Sequence, residues 1–276
     1  MRKALAAGAD AAVFDLEDAV APGEKERARQ EITELLGTLT VPPPCEIQVR
    51  INRDDDGAYN GDDVRAVVVP GVSALRLPKA EDVDAVREVV RVVDAAEAAA
   101  GIAPGTVRLY PIVESALGVL TVAEVARAHP RVDRFCFGST DFLADIGSSS
   151  TDGHDATLVA RSTIVLGSRA AGCAPPIDSV FTEIDDLDGL RAEATWSRGL
   201  GFFGKSVIHP RQISAVHDVF SPTEEVLAAA RSIVEAFAAA SADGEGAIVV
   251  DGHFVDAAVA ARASALLRTT RAEETR

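Results

Sequence analysis

Seven times along this chain an apolar run of strand character hands over to a helical pattern, with turn residues between the units. The runs are residues 11–20, 45–52, 72–79, 107–118, 132–147, 175–184 and 201–210. Parallel strands need a long crossover, usually a helix, so this alternation leaves two architectures: a parallel α/β barrel or a doubly wound sheet. No GxGxxG follows a strand and no P-loop occurs, so nothing asks for a dinucleotide or ATP, and the barrel is preferred. With 276 residues the chain can bury a core of that size.

Both architectures collect chemistry at the C-terminal ends of their strands. VRLYPIVESALG brings Glu114 to such a position, and FCFGSTDFLADIG brings Asp141 one unit later. The 27 residues between them match one strand-helix repeat, which predicts neighbouring strands and two acids near enough to share a cation. A hard ion such as Mg²⁺ takes one or two protein carboxylates and fills its octahedron with water and substrate oxygens. An acid that merely caps the next helix gives the same pattern, and spacing alone leaves both readings open. The first run turns acidic at Asp15, Glu17 and Asp18, CEIQVRIN delivers Arg50 and Asn52, and Lys79 and Lys205 close two further runs. An ammonium there could meet a phosphate or carboxylate, whereas Lys25 reads as a solubilising surface residue.

A formal charge of −16 argues against nucleic acid as the main partner. No apolar run is long enough to span a bilayer and no secretion signal is recognisable, so no membrane role is expected and the cytoplasm is the expected setting. Cys45, Cys136 and Cys173 are odd in number and far apart, and read as reduced thiols. The Ser, Gly and Asp-rich stretch 147–155 is long enough to move over a site. Beyond the repeats, Pro222 opens a helix, Asp251-Gly252 marks a hairpin, and Asp256 begins a final helix. Such an extension commonly serves subunit contact, so an oligomer is expected.

The motifs DLEDAV, VRIN, LPKAED, PIVES, FGSTDFLADIG, GFFGKSVIHPRQI and GHFVDAAV, in that order, resemble the HpcH/HpaI aldolase and citrate lyase beta family. The likeness is closer to its citrate-lyase-beta-like and malyl-CoA or citramalyl-CoA lyase branch than to the class II hydroxy-oxo-acid aldolases. The resemblance implies a (βα)₈ TIM barrel over residues 1–221. It makes residues 222–276 an extension for oligomerisation and for completing a neighbouring active site. It implies Mg²⁺, an acyl-CoA or acyl-carrier thioester, a small 2-oxo acid, and a homotrimer or homohexamer. By motif, Glu114 and Asp141 would be metal ligands, with Glu114 also at the substrate. Arg50 would hold the substrate carboxylate or developing oxyanion, and Glu17 and Asp18 would order metal-bound water. Asp256 would act as general acid/base in a neighbouring subunit. Lys3 and Lys79 would lie at the thioester rim, and His209 would be structural. Family chains begin with an LFVPG-like strand; this chain starts inside the helix that follows, so the first barrel strand is expected to be absent. The implied reaction cleaves or forms a 3-hydroxyacyl-CoA such as malyl-CoA or citramalyl-CoA, giving acetyl-CoA and a 2-oxo acid. The alternatives are a citrate lyase beta subunit and a catalytically impaired thioester-binding protein.

Overall fold

The structure, a computed structural model, describes residues 1–39, 42–149 and 153–274. Seven strands form one sheet: β1 (Ala11–Asp15), β2 (Glu46–Arg50), β3 (Val72–Leu77), β4 (Arg108–Val113), β5 (Arg134–Phe137), β6 (Ala174–Asp178) and β7 (Gly204–Lys205). They pair in chain order and every pair is parallel. A doubly wound sheet would reverse its strand order at a switch point; this one does not, so it curls in one sense as a TIM-barrel-like half-barrel. Strand β1 ends at Asp15, so the acidic stretch after it is a turn rather than a continuation of the strand.

Helices α1 (Arg2–Leu5), α2 (Lys25–Gly37), α3 (Gly61–Val67), α4 (Val83–Ala100), α5 (Ala116–Ala126), α6 (Ser139–Asp145), α7 (Gly153–Ala170), α8 (Leu187–Leu200) and α9 (Arg211–Phe220) complete this unit. The α4 segment is helical for legible reasons. Val86, Val89, Val90, Val93 and Ala96 repeat at helical spacing and are all buried. The Asp82 side chain accepts the N–H groups of Asp84 and Ala85, a cap worth about 1 kcal/mol. Gly101, at φ +67°, ends the helix in the left-handed conformation.

Alternation along the strands sorts the side chains. Ile47, Val49, Leu75 and Leu77 are buried on the helix side, while Ala74, Tyr110, Ile112 and Cys136 pack together inside the curl with Ile177. At the N-terminal ends of the strands, Arg131 donates to Glu97 Oε1 at 2.9 Å, to Glu97 Oε2 at 2.5 Å, to Asp94, and to the Val107 carbonyl at 2.9 Å. Glu97 also accepts the N–H groups of Gly105 and Val107 at 2.9 and 2.7 Å.

The chain divides into two compact units, Met1–Asp218 and Val219–Arg276. The second holds α10 (Glu224–Ala242), the antiparallel hairpin β8 (Ala247–Val250) and β9 (His253–Asp256), and α11 (Ala257–Glu274). Asp251 and Gly252 turn the hairpin with φ of +48° and +78°, the two left-handed residues that a tight two-residue turn needs. Asp256 Oδ1 accepts the N–H groups of Ala258 and Val259 at 3.0 Å each, and so starts α11. Among the described residues no helix is long and apolar enough to cross a membrane.

Candidate active site

A cavity of about 160 Å³ opens where the strands end, and Arg50, Arg76, Glu114, Asp141, Ser179 and Ser206 are in its wall. Glu114 follows β4 directly and is only 5% exposed. Its Oε1 accepts the Lys79 N–H at 2.8 Å, and Lys79 holds φ +48°, an uncommon conformation for a residue with a side chain. Lys79 therefore serves this acid through its backbone, while its ammonium is on the exposed rim. Gly138 follows β5 as Glu114 follows β4; a β-carbon on it would sit 2.7 Å from Glu114 Oε2. The bare glycine makes room for the carboxylate.

Asp141 departs from its expected position. It lies in the first turn of α6 rather than at the strand end, because Gly138 occupies that place. The turn still brings Asp141 into the same cavity wall as Glu114. Burial first, then the nearby charges of Glu17 and Asp141, push the Glu114 pKa up from 4.5 to about 7, against the pull of the Lys79 N–H and Arg50.

Arg50 meets three acids. Asp15 takes it in a fork, Nε to Oδ1 at 2.7 Å and Nη2 to Oδ2 at 2.5 Å, while Nη1 lies 2.6 Å from Glu17 and 3.3 Å from Asp18. Asp15, the member of this set without an expected role, also accepts the N–H groups of Glu17 and Ala19. Burial alone would raise its pKa, but Arg50 and those N–H groups outweigh burial and hold it low. Glu17 has no such surplus of donors; burial and neighbouring Asp18 raise it to about 7, opposed by Arg50. Lys25 is a correction. Its ammonium folds back onto the carbonyls of Leu16 and Glu17 at 2.8 and 2.7 Å, so it clamps the acidic turn instead of solubilising the surface.

Beneath Ser179 and Ser206 lies a buried ionic set. Lys205 Nζ reaches Asp178 at 2.9 Å and Glu193 at 2.5 Å, and Arg161 Nε reaches Asp178 at 2.8 Å between the rings of Phe137 and Trp196, each 5.0 Å away. Burial would raise the Asp178 pKa, but the two cations hold it below its ordinary value. Lys205 is thus committed to structure rather than to the rim. His209 Nδ1 accepts the Arg211 N–H at the start of α9, a structural role. Lys3 is on α1, which leads into the N-terminal end of β1, and is not part of the cavity wall. Asp256 belongs to the second unit. Of the 147–155 stretch, residues 150–152 lie outside the described residues. Arg76, Ser179 and Ser206 were not singled out from the sequence. The one available signal was an arginine at an inward position of the apolar run VSALRL.

Two oxygen-bearing acids on adjacent strand-helix units, one buried and carrying a pKa raised by that burial and then by neighbouring acids, suit a hard cation that draws its other ligands from water and substrate. Among the described residues no group of three or more His, Cys, Asp or Glu is placed to hold a metal. Fold and cavity together define an α/β-barrel enzyme scaffold with an oxygen-lined site at its strand ends.

The sequence profile of the HpcH/HpaI aldolase/citrate lyase family matches residues 1–210. The citrate lyase subunit beta of Leuconostoc mesenteroides is 36% identical over 96% of this chain and 87% of its own. The L-malyl-CoA/beta-methylmalyl-CoA lyase of Cereibacter sphaeroides is 35% identical over 96% and 89%. The crystal structure of CitE from Mycobacterium tuberculosis, in complex with magnesium, acetoacetate and coenzyme A, is 34% identical, with a TM-score of 0.74 over 97% of this chain and 92% of its own. The chain belongs to the HpcH/HpaI aldolase/citrate lyase family, and it is a lyase of that family.

Proposed function

We propose that the chain is a Mg²⁺-dependent carbon-carbon lyase acting on a 3-hydroxyacyl thioester that bears a carboxylate beside the hydroxyl, malyl-CoA and citramalyl-CoA being the simplest examples. The observation that carries this reading is the convergence of Glu114, Asp141 and Arg50 on one cavity at the strand ends of a family lyase. Glu114 and Asp141 would hold the ion. Bound there, Mg²⁺ would supply Lewis-acid polarisation of the substrate carboxylate and hydroxyl oxygens.

The chain's own residues would do the rest. Arg50, held edge-on by the Asp15 fork, offsets charge as the hydroxyl oxygen becomes the carbonyl of the 2-oxo acid. Glu17, 2.6 Å from Arg50 and raised to about 7, and Asp18, beside the same guanidinium, would order the water that takes that hydroxyl proton. The leaving carbon is a thioester enolate. Asp256, at the β9–α11 corner of another copy, would protonate it, with residues 219–276 serving assembly into a homotrimer or homohexamer. Lys79, exposed at the rim, and Lys3 are the ammonium groups offered to the thioester's phosphates. Three free thiols agree with a cytoplasmic setting.

A second reading, favoured by the Leuconostoc relative, is a citrate lyase beta subunit acting on an acyl-carrier thioester. Assay of the purified chain with malyl-, citramalyl- and citryl-CoA, with Mg²⁺ and with EDTA, tests the proposal. Mg²⁺-dependent release of acetyl-CoA supports it. Thioester binding without turnover supports a non-catalytic binding protein instead.

A further inference from the structure

Among the described residues Glu114 has one hydrogen-bond donor, the Lys79 N–H at 2.8 Å, and that N–H belongs to a peptide in an uncommon state. Pro78 precedes Lys79 in the turn after β3, and a positive φ directly after proline is the mark of a type II turn. Glycine is the residue such a turn asks for; lysine adopts it at a cost, because its β-carbon crowds the backbone. The type I alternative, open to most residues, rotates the Pro78–Lys79 peptide by about half a turn. Left to itself, the turn would withdraw the donor from Glu114 and set the Pro78 carbonyl oxygen against its carboxylate.

The loop between β2 and α3 prevents this. Tyr59, 7% exposed, donates its hydroxyl to the Pro78 carbonyl at 3.2 Å, the far end of the same peptide. Arg53 Nη1 donates to the next carbonyl, that of Lys79, at 2.6 Å. The peptides on both sides of the left-handed residue are thus held from one loop. Arg53 also reaches Glu81 at 3.2 Å, and Glu81 accepts the Ser115 hydroxyl at 2.6 Å, which ties the residue after Glu114 to the same turn. The loop is itself braced. Arg53 and Tyr59 pair across it as an antiparallel bridge, and Arg53 Nε donates to the Gly57 carbonyl at 2.9 Å. At its base the fully buried Asp63 accepts the N–H and the side-chain amide of Asn52 at 2.8 and 2.7 Å. Neither Tyr59 nor Arg53 is in the cavity wall, so what they contribute reaches the site through the Lys79 backbone.

We infer that Tyr59 and Arg53 are positioning residues: they hold the Pro78–Lys79 peptide with its N–H toward Glu114 and thereby aim that carboxylate. With Oε1 taken by the N–H, Oε2, which faces Gly138 at the head of α6, is the oxygen offered to a cation shared with Asp141. The inference rests on the reading of Glu114 as an ion ligand.

Calorimetric titration with Mg²⁺ tests it in the wild type, Tyr59→Phe and Arg53→Met, and again with Tyr59→Phe placed in a Lys79→Gly background. Removing the hydroxyl or the guanidinium is expected to weaken Mg²⁺ binding by about 10–100-fold, the loss usual when a ligand's own partners are disturbed. Far-UV circular dichroism should not change. Tyr59→Phe, which keeps the ring, decides the matter if Arg53→Met does not fold. Pro-Gly favours the type II turn unaided, so in the Lys79→Gly background Tyr59→Phe should move the affinity by less than about threefold. A change below about threefold in the lysine background, or an equal loss in both backgrounds, overturns the inference and leaves Tyr59 a packing residue of its loop. If the wild type binds no Mg²⁺, the ion reading has failed, and hydrogen exchange at the Lys79 amide in EDTA decides. Faster exchange in Tyr59→Phe than in the wild type upholds the hold on the peptide; equal exchange overturns it.

Discussion

The two ends of the barrel unit use the same ingredients to opposite effect. At the N-terminal ends of the strands, Glu97 is 1% exposed, yet Arg131 and the N–H groups of Val107 and Gly105 outweigh the cost of burial and hold its pKa low. At the C-terminal ends, Glu114 is almost as buried at 5%, but it has one N–H donor and two repelling acids, and its pKa rises to about 7. One carboxylate has all the donors it can use. The other is held ready with its demand unmet, as an ion site must be before the ion arrives. Stability is concentrated at one end of the sheet and reactivity at the other, the division expected of this fold.

The comparison is broken most severely at the mouth. Glu114→Gln is expected to lower kcat by about 10²–10³-fold while the melting temperature holds or rises, because a repelled buried charge has been neutralised. Equal loss of activity and stability would show that Glu114 is a structural acid like Glu97. At the other end Arg131→Met strands Glu97 in a dry site, and chemical denaturation should register a loss of about 3–5 kcal/mol with kcat of the folded fraction retained. A smaller change is expected from Gly138→Ala, whose β-carbon would press on Glu114 Oε2. Displacing the carboxylate should weaken Mg²⁺ binding by about 10–100-fold in calorimetry, with the fold intact by circular dichroism.

The smallest effect is one of pH. A carboxyl raised on folding contributes stability that is present below its unfolded pKa and lost as pH climbs through the folded one. For Glu17 and Glu114 that window runs from 4.5 to about 7. Glu97 has the opposite sign: its contribution is present above 4.5 and lost as pH falls through its lowered value. Melting in EDTA should therefore weaken from about pH 5 to about pH 8, and the gain from added Mg²⁺ should widen over the same span. A gain independent of pH would mean that the ion does not neutralise these acids.

What the sequence disclosed follows from where each residue sits. Glu114, Arg50 and the Asp251-Gly252 hairpin stand at element boundaries, where apolar periodicity stops and a polar residue stands out. Seven repeats became seven parallel strands for the same reason. Asp141 was placed in the right neighbourhood but on the wrong element, since nothing in FCFGSTDF marks where strand yields to helix ahead of a glycine that clears space for another residue's carboxylate. Lys25 was misread because its ammonium folds back nine residues along the chain to a carbonyl, a contact without periodicity. Arg76 was hidden inside an apolar run. Its direction matters only once β3 is known to face the interior of a curl.

The account turns on whether Glu114 and Asp141 grip one ion, and a crystal of this chain grown with Mg²⁺ and a 2-oxo acid addresses that directly. The prediction is an octahedral ion about 2.0–2.1 Å from an oxygen of each acid, with the oxo acid on the ion's open side facing Arg50. An ion bound elsewhere, or the two carboxylates turned apart with the oxo acid held by other residues, would contradict it.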